Sequence, residues 1–190
     1  MIQTSKLPIL IVANYRTGSS ALSRNLAHSN NVSCFNEPHY RLDEFDCFKQ
    51  CLSSVQNSFV LKVIAEQLQT VEEYKSVLDS ECFSIRLYRE NKLDQIVSYY
   101  IATVTDVWFQ KKTLERKPYF VEYNPDVAKY AVDRILLNDR ILDNLNIKFD
   151  ITTTYEQLGF IENTVSNITT PPVNIGKVIA LIEKVYNESR

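Results

Sequence analysis

The stretch PILIVANYRTGSSALSRNLAH (Pro8–His28) places a continuous apolar run, a polar turn and a helix-spaced apolar face in immediate succession. The run Pro8–Ala13 has no polar residue at alternate positions, which is what a strand covered on both faces requires. Asn14 to Gly18 reads as a turn. Ser19 to His28 then reads as a helix, with Ala21, Leu22 and Leu26 on one face and Ser19 as its cap. A buried strand leading through a short turn into a helix is the opening unit of a layered α/β fold.

The same alternation continues outward. Strands are predicted at Val32–Phe35, Phe59–Ile64, Cys82–Tyr88 and Lys148–Thr153. Helices are predicted at Leu42–Val55, at Val71–Leu78 and from Lys92 through Ala102 or beyond. A long helix is marked by Val127, Ala131, Ile135, Leu142 and Leu145. After Pro171 and Pro172, a last helix is marked by Ile175, Val178, Ile179, Ile182, Val185 and Tyr186. The pattern predicts one α/β domain over residues 1–190, with a mostly parallel sheet. Trp108–Asn124 breaks the alternation and reads as an insertion or flap.

Composition sets the bounds. The 190 residues are 45% hydrophobic and 23% charged, which suits a globular chain and not a disordered one. A net charge of −2 excludes a protein that coats a polyanion, so no nucleic-acid partner is expected, while a local anion pocket remains open. No apolar run reaches the length of a transmembrane span. The apolar N-terminal run is too short for a secretory signal, and a cytoplasmic location is expected. Cys34, Cys47, Cys51 and Cys82 form no CxxC pair, and there are two histidines, so no metal is expected and the thiols read as reduced and buried. Only three glycines are present, where average usage would give about 13. Positions needing left-handed backbone are therefore served by other residues or are absent.

One of those glycines sits in the first chemical signal, Tyr15-Arg16-Thr17-Gly18-Ser19-Ser20. Ligands of α/β sheets bind beyond the carboxyl ends of the strands, where helices begin. A glycine there lets backbone amides turn toward an anion, and the helix start adds donors and the positive end of its dipole. Arg16 supplies a forked permanent charge, and Ser19 and Ser20 supply hydroxyls. The segment is not a Walker A loop, because the first glycine is missing and serine follows Gly18. The plainer alternative is a simple strand-to-helix turn. A second signal follows the strand at Cys82–Tyr88: Arg89 at its end, and Ser98 about two turns into the next helix, could hold a second anionic group. Alternatively, Arg89 pairs with a carboxylate and Ser98 faces solvent.

Taken together, LIVANYRTGSSALSRNLA and LYRENKLDQIVSYYIA resemble the two phosphate-binding segments of sulfotransferases that use 3′-phosphoadenosine 5′-phosphosulfate (PAPS). The match is to the bacterial carbohydrate group that includes trehalose and nodulation-factor sulfotransferases. Asn36-Glu37-Pro38, Phe59–Lys62, Ala102–Trp108 and Thr153–Leu158 (TTYEQL) follow in that group's order, so the resemblance spans roughly residues 8 to 160. It implies a P-loop-like three-layer fold with a central mostly parallel sheet flanked by helices. It further implies a sulfuryl transfer from PAPS to a hydroxyl of a carbohydrate or glycolipid, with no metal.

On this resemblance Arg16, Thr17, Gly18, Ser19 and Ser20 bind the 5′-phosphosulfate, Arg89 and Ser98 the 3′-phosphate, and Tyr155 lies near the adenine. Arg16 also stabilises developing charge, and Glu37 is the base, with His39 as competitor. His39 and Trp108 are candidates for the acceptor wall, and Lys62 is a lesser candidate for the cofactor site. The basic C-terminal segment that often completes the 3′-phosphate site in that family is not evident after Pro172, where Lys177 is the nearby candidate. Two other readings stand beside this one: a P-loop-like nucleotide kinase or phosphotransferase, and a degenerate, non-catalytic nucleotide-binding module. The acceptor and the oligomeric state, a homodimer included, stay open.

Overall fold

The computed structural model describes residues 8–54, 58–108, 120–158 and 174–190. Five strands form one all-parallel sheet: β1 (Ile9–Ala13), β2 (Ser33–Asn36), β3 (Phe59–Ile64), β4 (Phe83–Tyr88) and β5 (Ile151–Thr154), in the order β2-β3-β1-β4-β5. The helices are α1 (Ser19–Asn30), α2 (Leu42–Leu52), α3 (Glu72–Asp79), α4 (Lys92–Thr105), α5 (Pro125–Asn144) and α6 (Ile175–Glu188). Strands and helices alternate as a three-layer P-loop-like α/β fold requires, and the mostly parallel sheet is parallel throughout.

The chain divides into two compact units. Met1–Tyr88 with Asn138–Tyr155 holds the sheet, α1, α2, α3 and the end of α5; Arg89–Leu137 with Glu156–Arg190 holds α4, the rest of α5, and α6.

In the sheet unit, the uninterrupted apolar reading of β1 is explained by its place. All five of its residues are buried, and it is hydrogen-bonded to β3 on one side and β4 on the other. Leu10 and Val12 of β1 join Phe59, Leu61 and Val63 of β3 and Phe35 of β2 in one buried cluster. Phe48 of α2 and Tyr74 of α3 complete it, their rings edge-on at 5.7 Å. Strand side chains alternate between faces, so Lys62, paired in register with Ile11 and Asn36, lies on the other face. There Ser23 of α1 donates to Asn36 Oδ1 at 2.6 Å.

From β1 the chain runs toward β2 on one side of the sheet, and from β4 toward β5 on the other. The strand order therefore reverses at the β1/β4 pair, the place in such sheets where ligands collect.

In the second unit, α4 and α6 pack together. The Tyr100 hydroxyl donates to the Glu122 carbonyl at 3.0 Å and accepts the Asn124 amide at 2.8 Å, tying residues 120–124 to α4. Most of the expected insertion Trp108–Asn124 lies outside the described residues, as do Gly159 and the Pro171-Pro172 pair.

Two expectations are corrected. Ser19 is not the cap of α1: Gly18 is, with φ 73°, and no side chain caps the helix. Gly18 can take the left-handed cap conformation at no steric cost, so Ser19 becomes the first helical residue. The thiols are not uniformly buried, for only Cys82 is, while Cys47 stands exposed on the outer side of α2. No helix among the described residues is long and apolar enough to cross a membrane.

Candidate functional site

The turn after β1 is closed from within. Thr17 is buried, and its hydroxyl donates to the Asn14 carbonyl at 2.9 Å, so its side chain shapes the loop. Asn14 accepts the Tyr15 amide at 2.7 Å and donates to Asp139 at 2.9 Å. The Tyr15 hydroxyl donates to Glu66 at 2.6 Å, and Glu66 in turn accepts Asn138 Nδ2 at 3.0 Å. These bonds fix the loop to the segment after β3 and to the end of α5.

Within the fixed loop, Arg16 (φ 56°) and Gly18 (φ 73°) are both left-handed. The first turn of α1 contains no acidic residue, so its free amides and dipole face no competing carboxylate of their own helix. A Cβ on Gly18 would meet the Tyr155 ring at 2.8 Å. The structure thus brings Tyr155 against the very residue that shapes the loop. Arg16, the amides of Ser19 and Ser20, and the two serine hydroxyls form a donor set suited to a phosphate or sulfate oxyanion.

Beside this loop on the same face of the sheet lies a second constellation. Lys62 is only 4% exposed in the middle of β3, and its Nζ donates to Glu37 Oε1. Gln67 Nε2 donates to Glu37 Oε2 at 2.8 Å, and Gln67 is itself held by the Ile64 amide at 2.9 Å. Burial pulls the Lys62 ammonium below its ordinary pKa and the Arg16 charge adds to that, against the pull of Glu37. Arg16 therefore acts electrostatically on the Lys62–Glu37 pair. Glu37 is left-handed (φ 52°) and its side chain 19% exposed, so a buried cation anchors a carboxylate that still reaches solvent.

His39 is arranged differently. Its backbone amide donates to the Tyr74 hydroxyl at 3.1 Å, and its Nδ1 lies 2.8 Å from the same oxygen. The Tyr74 hydroxyl thus engages Nδ1 and leaves Nε2 as the ring's other nitrogen. Burial lowers the His39 pKa against the opposing pull of Glu37.

In the second unit Arg89 lies 3.8 Å from both Asp94 and Glu156 and is 16% exposed. Glu156 accepts the Glu90 and Asn91 amides at 3.1 and 3.3 Å. Burial pulls the Glu156 carboxyl up, but those amides and the Arg89 charge outweigh it and hold it below its ordinary value. Ser98 is half-buried on α4, and Lys92 donates to Gln95 on the same helix at 3.3 Å. Trp108 packs edge-on against Tyr99 at 5.5 Å and donates to Asp106 at 3.2 Å.

A scan against family models finds none that matches the chain, and a search of curated proteins finds no match either. The reading of the site therefore stands on its residues. Among the described residues no group of three or more His, Cys, Asp or Glu could hold a metal ion. An open depression in the second unit, lined by Val121, Glu122, Asn124 and Asp126 among other described residues, presents carboxylates from Glu122 and Asp126.

The sequence reading missed Glu66, Gln67, Tyr74, Asn138 and Asp139. A usable signal existed for two of them, since Glu66 and Gln67 directly follow the apolar strand β3, at the carboxyl end where ligands bind. Asp139 reaches the loop at Asn14 across 125 residues, and Asn138 reaches Glu66 across 72, so neither leaves a local pattern.

Proposed function

We propose that the protein is a sulfotransferase that moves a sulfuryl group from PAPS to a hydroxyl of a carbohydrate or glycolipid. The observation that carries the reading is the anchoring of Glu37 between Lys62 and Gln67, beside a loop whose donors suit an oxyanion. Transfer of this kind depends on alignment and charge stabilisation more than on covalent help from the protein. PAPS, when bound, supplies the sulfuryl group and takes up negative charge on its phosphate as it leaves.

The protein's part divides among named atoms. Arg16, the first amides of α1 and the Ser19 and Ser20 hydroxyls donate to the phosphosulfate oxygens. Each Glu37 oxygen accepts one bond from Lys62 or Gln67 and keeps a lone pair, with which it takes the acceptor's hydroxyl proton. His39 is the weaker candidate for that step, because its Nδ1 is engaged by the Tyr74 hydroxyl. Arg89 and Ser98 are assigned the 3′-phosphate and Tyr155 the adenine, on the resemblance of their segments. The pairing of Arg89 with two carboxylates favours a second reading, a nucleotide-binding module without catalysis.

A thermal-shift panel separates these. Selective stabilisation by 3′,5′-phosphoadenosine (PAP) supports the sulfotransferase, reaching about 2.7 kcal/mol at 100-fold excess over Kd. Stabilisation by ATP with magnesium would point to a phosphotransferase. PAP binding without sulfuryl transfer to any hydroxylated acceptor would leave the non-catalytic module.

A further inference from the structure

Tyr40 is a large aromatic residue 65% exposed, three positions after Glu37 on the 3₁₀ turn Pro38–Tyr40. Single exposed aromatics are ordinary on protein surfaces and need no explanation. This one is braced. Its ring lies against His39 with centroids 4.0 Å apart. His39 is locked in turn by two polar contacts with Tyr74, whose ring is fully buried in the core. The Tyr40 hydroxyl accepts Gln67 Nε2 at 3.4 Å, from the same nitrogen that holds Glu37 Oε2 at 2.8 Å. A chain of contacts thus runs from the core, through His39 and Gln67, to a ring held next to a carboxylate while much of its surface faces water.

We infer that the exposed face of Tyr40 is the acceptor platform, on which a pyranose ring stacks with a hydroxyl presented to Glu37. The inference rests on the sulfotransferase reading for the transfer step, but not for the binding. An aromatic face beside polar anchors matches a ring that has apolar C–H patches and equatorial hydroxyls. A phenol or sterol acceptor needs an enclosed apolar slot. This turn instead stands open, with its neighbour Leu42 82% exposed as well.

The test is saturation-transfer NMR on the full chain with methyl β-glucopyranoside and cellobiose, and with p-nitrophenol as the aryl probe. Saturation of the sugars' C–H protons is expected, with binding roughly five- to tenfold weaker in Tyr40→Ala and retained in Tyr40→Phe, which keeps the ring. Equal sugar signals in wild type and Tyr40→Ala, no sugar signal at all, or saturation of p-nitrophenol alone would overturn the platform. An unchanged far-ultraviolet circular dichroism spectrum guards against misfolding of Tyr40→Ala, and Tyr40→Thr offers a second truncation. The PAP thermal shift is read on the same samples. A PAP shift with a failed sugar arm removes the platform alone. Sugar binding through Tyr40 without a PAP shift keeps the platform and removes the sulfuryl-transfer reading.

Discussion

Arg16 and Arg89 each follow a strand of the parallel sheet, yet they stand in opposite electrostatic company. Around Arg16 positive groups accumulate: the start of α1 carries no acid, and the Arg16 charge bears on a buried lysine. The carboxylate that answers Lys62 is tied at both oxygens. Around Arg89 the chain supplies its own counter-charges, Asp94 and Glu156, both at 3.8 Å and neither in a short hydrogen bond. On the proposed reading, the first region offers an incoming anion its donors, whereas in the second an anion would have to displace the pairs Arg89 makes with Asp94 and Glu156, which salt screens in part.

The largest effect is expected at Glu37. Glu37→Gln keeps the shape and the bond from Lys62 but removes the proton acceptor, and should lower sulfuryl transfer by roughly 10²–10⁴-fold. PAP binding by thermal shift should be unchanged. Wild-type turnover in this variant would remove the catalytic half of the comparison.

Next comes Gly18. Gly18→Val forces a β-branched residue into left-handed backbone and drives a methyl into the Tyr155 ring. A loss of about 2–5 kcal/mol in urea unfolding is expected, together with loss of PAP binding. At Gly176, in the first turn of α6, an added Cβ meets nothing within 4 Å. Gly176→Ala should be neutral or stabilising by up to about 1 kcal/mol. Equal costs at the two glycines would mean that the loop is not closely built.

A smaller effect is expected from Lys62 as pH changes. Its pKa is depressed from 10.5 in the folded state, so below that pH the unfolded chain binds the proton more readily than the folded one. Stability then rises as pH climbs toward 10.5, by up to about 1.4 kcal/mol per pH unit for this one proton. Urea midpoints measured from pH 8 to 10.5 should show this slope in the wild type and a flatter one in Lys62→Met. Parallel slopes would mean that the lysine is not held in a low-dielectric site.

The smallest expected effect lies in the second region. Asp94→Asn removes one competing charge and keeps a polar group near Asn91, so PAP should bind about two- to fivefold tighter at low salt. Weaker binding would mean that Asp94 helps to place Arg89 and does not compete for it.

The fold was readable because its signals are local. PILIVA and FVLKVI each carry enough consecutive apolar residues to demand burial on both faces, and the helix-spaced runs between them left little choice of class. Element ends drifted by one to three residues, as at β5, which starts at Ile151 instead of Lys148. There Asp150 accepts both the amide and the hydroxyl of Ser84, which holds the preceding residues out of the ladder. The site was readable only where its chemistry sits on one segment, as in Arg16–Ser20 and Glu37. Lys62 could be flagged as odd within an apolar strand, but its partner lies 25 residues away in sequence. The contact of Tyr155 with Gly18, and the Glu66–Asn138 clasp, arise from sheet order and have no local trace.

The scarcity of glycine has a consequence at two positions in particular. Among the described residues four non-glycine residues adopt left-handed backbone: Arg16, Asn31, Glu37 and Asp106. Asparagine and aspartate tolerate that conformation, whereas arginine and glutamate gain nothing from it. Glycine at 16 would relieve roughly 1–2 kcal/mol of steric cost, less the added entropy of the unfolded chain. At 37 the same relief is outweighed, because removing Glu37 leaves the buried Lys62 without its carboxylate, a loss of about 3–5 kcal/mol. In a library sorted only for thermal resistance, glycine should therefore enter at codon 16 before codon 37, and on the proposed reading the variants that gain heat tolerance this way would weaken the anion site and keep the proton acceptor.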